Sequence, residues 1–308
     1  MKPRTMRDSF LKELYTQMQQ NEKIFFITAD FGAPMLDKMR QDFKERIINV
    51  GIAEQNAINI SVGLALEGYI VYIYAIAPFI TMRCFEQIRI NCAALHTLRK
   101  MNLNIIGVGG GVSYAMSGPT HHCLEDLCLM KMLPNFEVFS PSDSALAESY
   151  VERSINHTQP KYIRLDAQPL MDIANENSFD FRDGFRILQN KTGAKTAVIS
   201  TGFMTQKLQN IISNYNVLWI DLFLLNSYHR EKLTKTLHNI KKIITLEEGF
   251  SNSGGLDSEI SFYYKDKEMF HLGFPRKYTF DIGDREFIHS LNNLGIVDIK
   301  AILEQEQI

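Results

Sequence analysis

Short apolar runs alternate with helix-like segments along the first half of the chain. The runs have the length and β-rich composition of buried strands, and the segments between them place apolar residues every three or four positions. We expect strands at residues 24–28, 47–50, 69–77, 103–108, 136–139 and 161–165, with helices between them that include residues 53–66 and 79–99. Strands that alternate with helices predict a mostly parallel sheet with helices on both faces.

The same alternation restarts in the second half, after a polar and aperiodic segment at residues 167–183 that we interpret as a linker. The expected strands are residues 196–200, 217–224 and 242–246, and the expected helices are residues 203–213 and 231–239. The predicted fold class is therefore α/β, with one domain at residues 1–182 and a second at residues 183–308. Each domain is expected to have a mostly parallel sheet with helices on both faces.

Composition and charge narrow the class of protein. The 308 residues are 45% hydrophobic and 22% charged, which is typical of a globular protein. The net charge of −2 gives no reason to expect nucleic acid or an anionic membrane as the main partner. Residues 58–80 are apolar, but Glu67 and Gly68 near their middle favour a buried helix and strand over a membrane span. A charged N-terminal segment and four cysteines without a CxxC spacing favour a cytoplasmic protein with reduced thiols.

The candidate chemistry lies in loops that follow strands, where open α/β sheets bind ligands. Glu54 comes just after Gly51, at an expected strand-to-helix junction with apolar neighbours. A carboxylate there would be desolvated, and such a group can share a proton with a heterocyclic nitrogen. The alternative is an ordinary carboxylate at a helix N-terminus, stabilised by the helix dipole. The spacing alone leaves both interpretations open.

Two further loops carry candidate residues. Phe79, at the end of the most apolar expected strand, could form the wall of a pocket for a flat ring, or it could be a core residue. Residues 109–122 are glycine-rich and end in His121 and His122. His121 could act as an acid, a base or a hydrogen-bond donor, or both histidines could cap the next helix from a solvated turn. No helix-spaced ligand set supports a metal site, so no metal ligands are expected in this chain.

Several of these segments, taken in order, resemble the pyrimidine-binding domain of the transketolase-like thiamine diphosphate enzymes. The resemblance rests on Arg7, Thr28-Ala29-Asp30, residues 49–55 (NVGIAEQ), residues 77–79 (APF), residues 86–89 (EQIR) and residues 118–126 (GPTHHCLED). Residues 184–308 resemble the family's C-terminal domain, in Thr201-Gly202, residues 220–222 (IDL) and Glu247-Glu248. The resemblance therefore covers nearly the whole chain and implies the thiamine diphosphate-binding fold.

The resemblance implies roles for individual residues. Glu54 matches the glutamate that hydrogen-bonds the pyrimidine N1′ of the cofactor, which promotes loss of the thiazolium proton, and Phe79 matches the aromatic residue that stacks on the pyrimidine. Ile52 and Gln55 belong to the same cofactor-binding segment. His121 matches a catalytic histidine that contacts the oxygens of the donor substrate. The other residues that fall at substrate-binding positions are Arg7, Thr28, Ser117 and Arg164.

One family signature does not occur in the sequence. Full-length transketolases bind the diphosphate through Mg²⁺ in a preceding domain marked by Gly-Asp-Gly, and this chain has no Gly-Asp-Gly. The resemblance therefore implies the C-terminal subunit of a split transketolase, which is inactive without a diphosphate-binding N-terminal subunit. The expected cofactors are thiamine diphosphate and Mg²⁺, the latter held mainly by the partner. The expected assembly is an α2β2 heterotetramer.

The implied reaction is transfer of a two-carbon ketol unit from a ketose or related donor to an aldehyde. Ser117 replaces the family's usual acid and Gly109 a frequent histidine, so the sugar or sugar phosphate is not specified. The alternatives are a subunit like the 2-oxo acid dehydrogenase β chain or deoxyxylulose-phosphate synthase, and a non-catalytic regulatory subunit of the same fold. Residues 86–89 and the Gly-Pro-Thr-His segment favour the transketolase side. The retained Glu54, Phe79 and His121 weigh against a non-catalytic role.

Overall fold

The structure, a computed structural model, describes residues 2–173 and 179–305. The strands up to the expected linker are β1 (Arg4–Thr5), β2 (Ile24–Thr28), β3 (Ile47–Asn49), β4 (Ile70–Ile76), β5 (Asn102–Val108), β6 (Glu137–Phe139), β7 (Lys161–Leu165) and β8 (Pro169–Leu170). Strands β2 to β7 form one parallel sheet in the order β3-β2-β4-β5-β7-β6, and β1 pairs antiparallel with β8. The predicted parallel sheet is confirmed.

Helices cover both faces of this sheet. They are α1 (Met6–Gln20), α2 (Pro34–Phe43), α3 (Glu54–Leu66), α4 (Phe85–Gln87), α5 (Leu95–Leu98), α6 (Asp126–Lys131) and α7 (Ser144–Asn156). α1, α2 and α7 pack on one face around Phe26 and Tyr72, and α3 and α6 pack on the other around Ile73 and Ile105. Side chains from both faces of β4 are thus buried, which explains its continuous apolar sequence.

The helix expected at residues 79–99 is present, but much of it is wound more widely than an α-helix. Phe79–Arg83 and Ile88–Ala94 are π-helical, and they alternate with the short α-helices α4 and α5. The hydroxyl of Thr81 donates to the carbonyl of Ala77 at 2.7 Å, which satisfies one backbone acceptor at the start of the segment. Short π-helical segments occur often at functional sites, and this one follows the strand that presents Phe79.

The second sheet contains β9 (Phe185–Asn190), β10 (Thr196–Ser200), β11 (Val217–Leu222), β12 (Lys242–Phe250) and β13 (Glu268–Phe274). Its order is β13-β12-β10-β11-β9, with every pair parallel except β9 with β11. Its helices are α8 (Phe203–Leu208), α9 (Arg230–Thr236), α10 (Leu256–Tyr263), α11 (Arg285–Ser290) and α12 (Ile296–Gln305). They also lie on both faces, so the predicted fold class holds for both sheets.

Some boundaries differ from the prediction. The single helix expected at residues 203–213 ends at Leu208, and a separate 3₁₀ turn follows at Ile212–Asn214. The expected linker contains β8, and its residues 174–178 lie outside the described residues. The first sheet ends its last strand at Leu165 and the second begins at Phe185, so a domain boundary at residues 182/183 stays a prediction. Within the part of the chain that the structure describes, no helix is long and apolar enough to span a bilayer.

Candidate functional site

The loops that follow β2, β3, β4 and β5 lie along one edge of the first sheet, because these strands are parallel neighbours. Asn49 ties two of these loops together: its side-chain amide donates to the carboxylate of Asp30 at 2.9 Å, and its oxygen accepts from the backbone N–H groups of Asp30 and Gly51. Gly51 has a φ of 73°, a left-handed conformation that favours glycine. This turn places Glu54 at the first position of α3.

Glu54 is buried at this edge, with only 4% of its surface exposed. Both of its carboxylate oxygens accept hydrogen bonds from Nη1 of Arg83, at 2.7 Å each. Arg83 is the last residue of the π-helical segment after β4, and its side chain is 45% exposed. The buried carboxylate is therefore covered from the solvent side by an arginine, and its place in the first turn of α3 also suits the helix dipole.

Phe79 lies half-buried beside this ion pair. The guanidinium carbon of Arg83 is 4.7 Å from the centroid of the Phe79 ring. The imidazole of His121 approaches the same ring edge to face, with 5.3 Å between the centroids. Three residues that the sequence assigns to three different loops are thus linked: Arg83 contacts both Glu54 and Phe79, and His121 contacts Phe79.

Two neighbours on the α3 turn have different environments. Ile52 is 77% exposed, although it is a large apolar side chain. Gln55 is also exposed, and its side-chain amide donates to the backbone carbonyl of Arg83 at 3.1 Å. Gln55 therefore fixes the end of the π-helical segment next to Glu54, while the assignment of both residues to cofactor binding stays a prediction.

The glycine-rich loop after β5 is organised around Tyr114. The Tyr114 ring packs over Gly109, where φ is 88° and a β-carbon would overlap the ring. The ring of Tyr114 also meets that of His121 edge to face, with 6.4 Å between the centroids. Ser117 is exposed in the same loop, whereas His122 is buried against a backbone carbonyl of the loop, and burial lowers its pKa. Of the two adjacent histidines, His121 is the one presented to Phe79.

Two of the predicted substrate residues are buried and bonded to the protein itself. The Thr28 hydroxyl donates to the backbone carbonyl of Phe31 at 3.1 Å and accepts from the N–H of the same residue. Arg164 forms an ion pair with Asp126 at 2.7 Å and donates to the backbone carbonyl of Glu248 at 2.8 Å. These contacts give both side chains a structural role, and their assignment to substrate stays a prediction.

Arg7 is more accessible than Arg164. Its side chain is 20% exposed and pairs with Asp8 at 2.8 Å. Burial raises the pKa of the Tyr114 phenol, and the positive charge of Arg7 opposes that effect. Arg7, Ser117 and His121 are therefore the predicted substrate residues that remain near an open surface.

A buried ionic cluster from the second sheet supports this loop. The carboxylate of Glu248 accepts from Arg285 at 2.8 Å and lies 2.6 Å from Nε2 of His289. Arg285 also pairs with Asp166, which follows β7, and Asp166 accepts from the hydroxyl of Ser113 at 2.9 Å. Burial by itself would raise the pKa of Glu248, but Arg285 and His289 hold that pKa well below its usual range. A cavity of about 520 Å³ lies beside this cluster, and its lining includes residues 113–117, 168–170 and 284–286.

Sequence reasoning missed Arg83, Tyr114 and Arg285. Arg83 follows Phe79 by one helical turn, and this spacing alone could have indicated that the two side chains are neighbours. Nothing in the sequence indicates that Arg83 also reaches Glu54, because that contact depends on how α3 packs against the segment after β4. Within residues 2–173 and 179–305, no group of three or more His, Cys, Asp or Glu side chains is arranged to hold a metal ion.

Comparison with known proteins identifies the relatives of this chain. It is 29% identical over 219 residues to one of the subunits of the apulose-4-phosphate transketolase of Actinobacillus succinogenes, a match that spans 70% of this chain and 68% of that protein. It is 30% identical over 200 residues to the 6-deoxy-6-sulfo-D-fructose transketolase subunit SqwH of a Clostridium species, spanning 65% of this chain and 60% of that one.

A solved structure described as a split-gene transketolase in an inactive β4 tetramer superposes with a TM-score of 0.82. The two sequences are 25% identical, and the match covers 98% of this chain and 97% of that chain. The family model for the transketolase pyrimidine-binding domain matches residues 2–171, more than half of the chain. The protein therefore belongs to the transketolase family.

Proposed function

We propose that this chain is the C-terminal subunit of a two-subunit transketolase, which transfers a two-carbon ketol unit from a ketose or related donor to an aldehyde. The observation that carries the proposal is the meeting of a buried carboxylate, an aromatic ring and an imidazole, from Glu54, Phe79 and His121, at the carboxyl edge of a parallel sheet. Membership of the transketolase family supports thiamine diphosphate as the cofactor.

The residues at this edge fit the aminopyrimidine of thiamine diphosphate. Glu54 is a buried acceptor that a ring N–H can reach from the side now covered by Arg83, and Phe79 offers a half-buried aromatic face next to it. When bound, the cofactor supplies the electron sink that cleavage of a carbon–carbon bond next to a carbonyl requires. The protein's part is to hold a proton at the pyrimidine ring nitrogen with Glu54, to orient the ring against Phe79 and to keep water from both.

Three residues are proposed to contact substrate from an accessible position: His121, Arg7 and Ser117. His121 lies against Phe79 and is in position to donate a hydrogen bond to a substrate oxygen or to move a proton there. Arg7 and Ser117 lie near the same loop and are proposed to contact the distal part of a sugar or sugar phosphate. Thr28 and Arg164, which bond to the protein itself, are proposed to act on substrate only if binding rearranges them.

Dependence on a partner is part of the proposal. The chain contains no Gly-Asp-Gly, and the Actinobacillus relative is itself named as one subunit of its enzyme. The solved relative that matches over nearly its whole length is described as inactive when it forms a β4 tetramer. We propose that a separate chain holds the diphosphate through Mg²⁺ and that two copies of each chain form an α2β2 enzyme. Exposed apolar side chains are available for such contacts: Ile52 lies next to the site, and Ile90 and Leu98 lie further along the helical segment after β4.

Two finer statements complete the proposal. We propose that residues 1–182 and 183–308 act as the pyrimidine-binding and C-terminal domains. We also propose a cytoplasmic location, which is supported by four cysteines that all remain free thiols, three of them buried.

The test is reconstitution with the subunit that carries Gly-Asp-Gly. The mixture should convert a ketose donor and an aldehyde acceptor to the exchanged pair in the presence of thiamine diphosphate and Mg²⁺, and neither subunit alone should do so. A parallel assay for oxidative or non-oxidative decarboxylation of 2-oxo acids examines the competing enzyme class. Cofactor binding without turnover of any donor would favour the non-catalytic alternative and would contradict the proposed transfer.

A further inference from the structure

Arg83 makes two contacts with the residues proposed to hold the cofactor ring. Its Nη1 lies 2.7 Å from each carboxylate oxygen of Glu54, and its guanidinium carbon lies 4.7 Å from the centroid of the Phe79 ring. The Arg83 side chain therefore contacts the carboxylate and the aromatic ring at the same time.

We infer that Arg83 is an internal ligand of the pyrimidine half-site, and that thiamine diphosphate binds there only when the Arg83 side chain withdraws. The inference rests on the proposed function. A guanidinium and an aminopyrimidine that is protonated on its ring are both planar, delocalised N–C–N groups with N–H donors at the edge. A carboxylate next to an aromatic face suits either one, because arginine pairs with carboxylates and stacks on aromatic rings through the same plane.

The two ligands exclude each other for a simple geometric reason. Glu54 is 4% exposed, and the approach to its carboxylate runs past the guanidinium of Arg83. A ring nitrogen that donates to Glu54 needs an oxygen that Arg83 now occupies, and a ring that stacks on Phe79 needs the face that lies below the same guanidinium.

The structure also gives Arg83 a route out of the site. Among the described residues, the hydrogen bonds and ring contact of its side chain are with Glu54 and Phe79, and 45% of the side chain is exposed to solvent. The backbone of Arg83 is fixed independently, because Gln55 donates to its carbonyl oxygen. The guanidinium can therefore swing into water while the segment that carries Phe79 stays in place. Binding of the cofactor then exchanges one partner of a buried carboxylate for another.

The direct test is the affinity for thiamine diphosphate of the reconstituted two-subunit protein, measured by titration calorimetry with Mg²⁺ present. Arg83→Ala should bind about tenfold more tightly than the wild type, the equivalent of losing one competing charged hydrogen bond. The matched control is Arg40→Ala, which removes an arginine of similar exposure whose ion pair, among the residues that the structure describes, is with Asp37 on α2. The control should bind like the wild type.

Arg83→Ala leaves the buried carboxylate of Glu54 without its partner, which can itself disturb folding. A double-mutant cycle with Glu54→Gln separates that disturbance from competition for the cofactor site. In a Glu54→Gln background the anchor of Arg83 is lost, so adding Arg83→Ala should change the affinity by less than about twofold. Methylguanidinium at millimolar concentration provides a second measurement. It should weaken cofactor binding to Arg83→Ala by refilling the vacated position, and it should have no such effect on the wild type.

The outcomes separate the inference from the function on which it rests. If the wild type binds thiamine diphosphate and Arg83→Ala binds equally well or more weakly, Arg83 does not compete with the ring and the inference fails alone. If neither protein binds the cofactor although both remain folded by thermal unfolding, the proposed function fails with it.

Discussion

The imidazole of His121 meets the ring of Phe79 edge to face, with 5.3 Å between the centroids and 71° between the planes. This contact joins the loop after β5 to the helical segment after β4. It places the residue proposed to handle substrate directly beside the residue proposed to stack on the cofactor ring. Glu54 reaches the same ring only through Arg83. Activation of the cofactor and handling of the substrate should therefore be separable by mutation.

Replacing Glu54 with Gln should remove activation while keeping the size of the side chain. A glutamine cannot hold the proton at the pyrimidine nitrogen, so turnover of the reconstituted enzyme should fall by at least ~10²-fold, the usual effect of losing a positioned proton-transfer group. The measurement is exchange of the cofactor's C2 proton with deuterated solvent, followed by NMR after an acid quench. Exchange at the wild-type rate would mean that Glu54 is only a carboxylate at a helix end.

Replacing His121 with Ala should impair the substrate steps and leave activation of the cofactor intact. The imidazole contacts Phe79 and Tyr114 rather than Glu54, so C2 exchange should stay close to the wild-type rate. The value of kcat/KM for the donor should fall, by roughly 10² if His121 moves a proton and by less if it only donates a hydrogen bond. His122→Ala is a useful neighbour for comparison, since it removes a buried side chain of the same loop. A loss of C2 exchange in His121→Ala would contradict the assignment of cofactor activation to Glu54 and of substrate handling to His121.

The position of the site follows from the sequence because parallel strands end at one edge. Glu54, Phe79 and His121 come from loops after β3, β4 and β5, and the order β3-β2-β4-β5 brings those loops near one another. The alternation of apolar runs and helices was sufficient to predict a mostly parallel sheet, but it did not give the order of the strands. The prediction of the second sheet was less complete, because it omitted β9 and β13. Both strands have mixed exposure, and neither has a clear apolar run in its sequence.

The contacts of charged side chains could not be read from the sequence. Arg83 and Glu54 are 29 positions apart, and their pairing depends on how two helical segments pack. Arg164 resembles a substrate contact by position, but every residue of β7 is buried, and within the described part of the chain its guanidinium bonds to Asp126 and to backbone carbonyls. A motif locates a residue along the chain, whereas tertiary packing decides whether its charge faces a ligand or a buried counterion.

The isolated chain should bind thiamine diphosphate poorly. It offers a carboxylate and an aromatic face for the pyrimidine, but the described residues contain no cluster that could hold the metal ion of the diphosphate. Calorimetry on the purified chain with Mg²⁺ should therefore give binding weaker than about 1 mM, which corresponds to only ~4 kcal/mol. Micromolar binding that depends on Mg²⁺ would show that this chain holds the diphosphate by itself.

Gly109→Ala should destabilise the loop that carries His121. Residue 109 has a φ of 88°, and an added β-carbon would meet the ring of Tyr114. The backbone strain and the overlap should together lower the free energy of unfolding by about 1–3 kcal/mol. Thermal or denaturant unfolding measures the change. The double variant Gly109→Ala/Tyr114→Ala removes the overlap, so adding the alanine at 109 should cost less in the Tyr114→Ala background than in the wild type. Equal costs in both backgrounds would mean that the ring is not what excludes a side chain there.

The fifth prediction concerns stability in acid and rests on Glu137, a fully buried carboxylate in β6. It accepts from Arg153 at 2.7 Å and from the phenol of Tyr150. Burial by itself would raise the pKa of Glu137, but its hydrogen bonds and the positive charge of Arg153 lower that pKa from 4.5 to about 2. A carboxyl group with a lowered pKa in the folded state stabilises the protein above its unfolded pKa, and that stabilisation is lost as the pH falls from about 4.5 towards 2.

Glu137→Gln should therefore lower the free energy of unfolding at pH 7 by about 3 kcal/mol, since one pKa unit corresponds to 1.36 kcal/mol. It should also flatten the dependence of stability on pH below about 4.5, because the variant has no group there to protonate. Urea unfolding at a series of pH values between 3 and 7 measures both effects. Glu152→Gln, an exposed position on α7, is the matched control and should change neither. A Glu137→Gln variant that keeps the wild-type slope below pH 4.5 would show that other carboxylates control unfolding in acid.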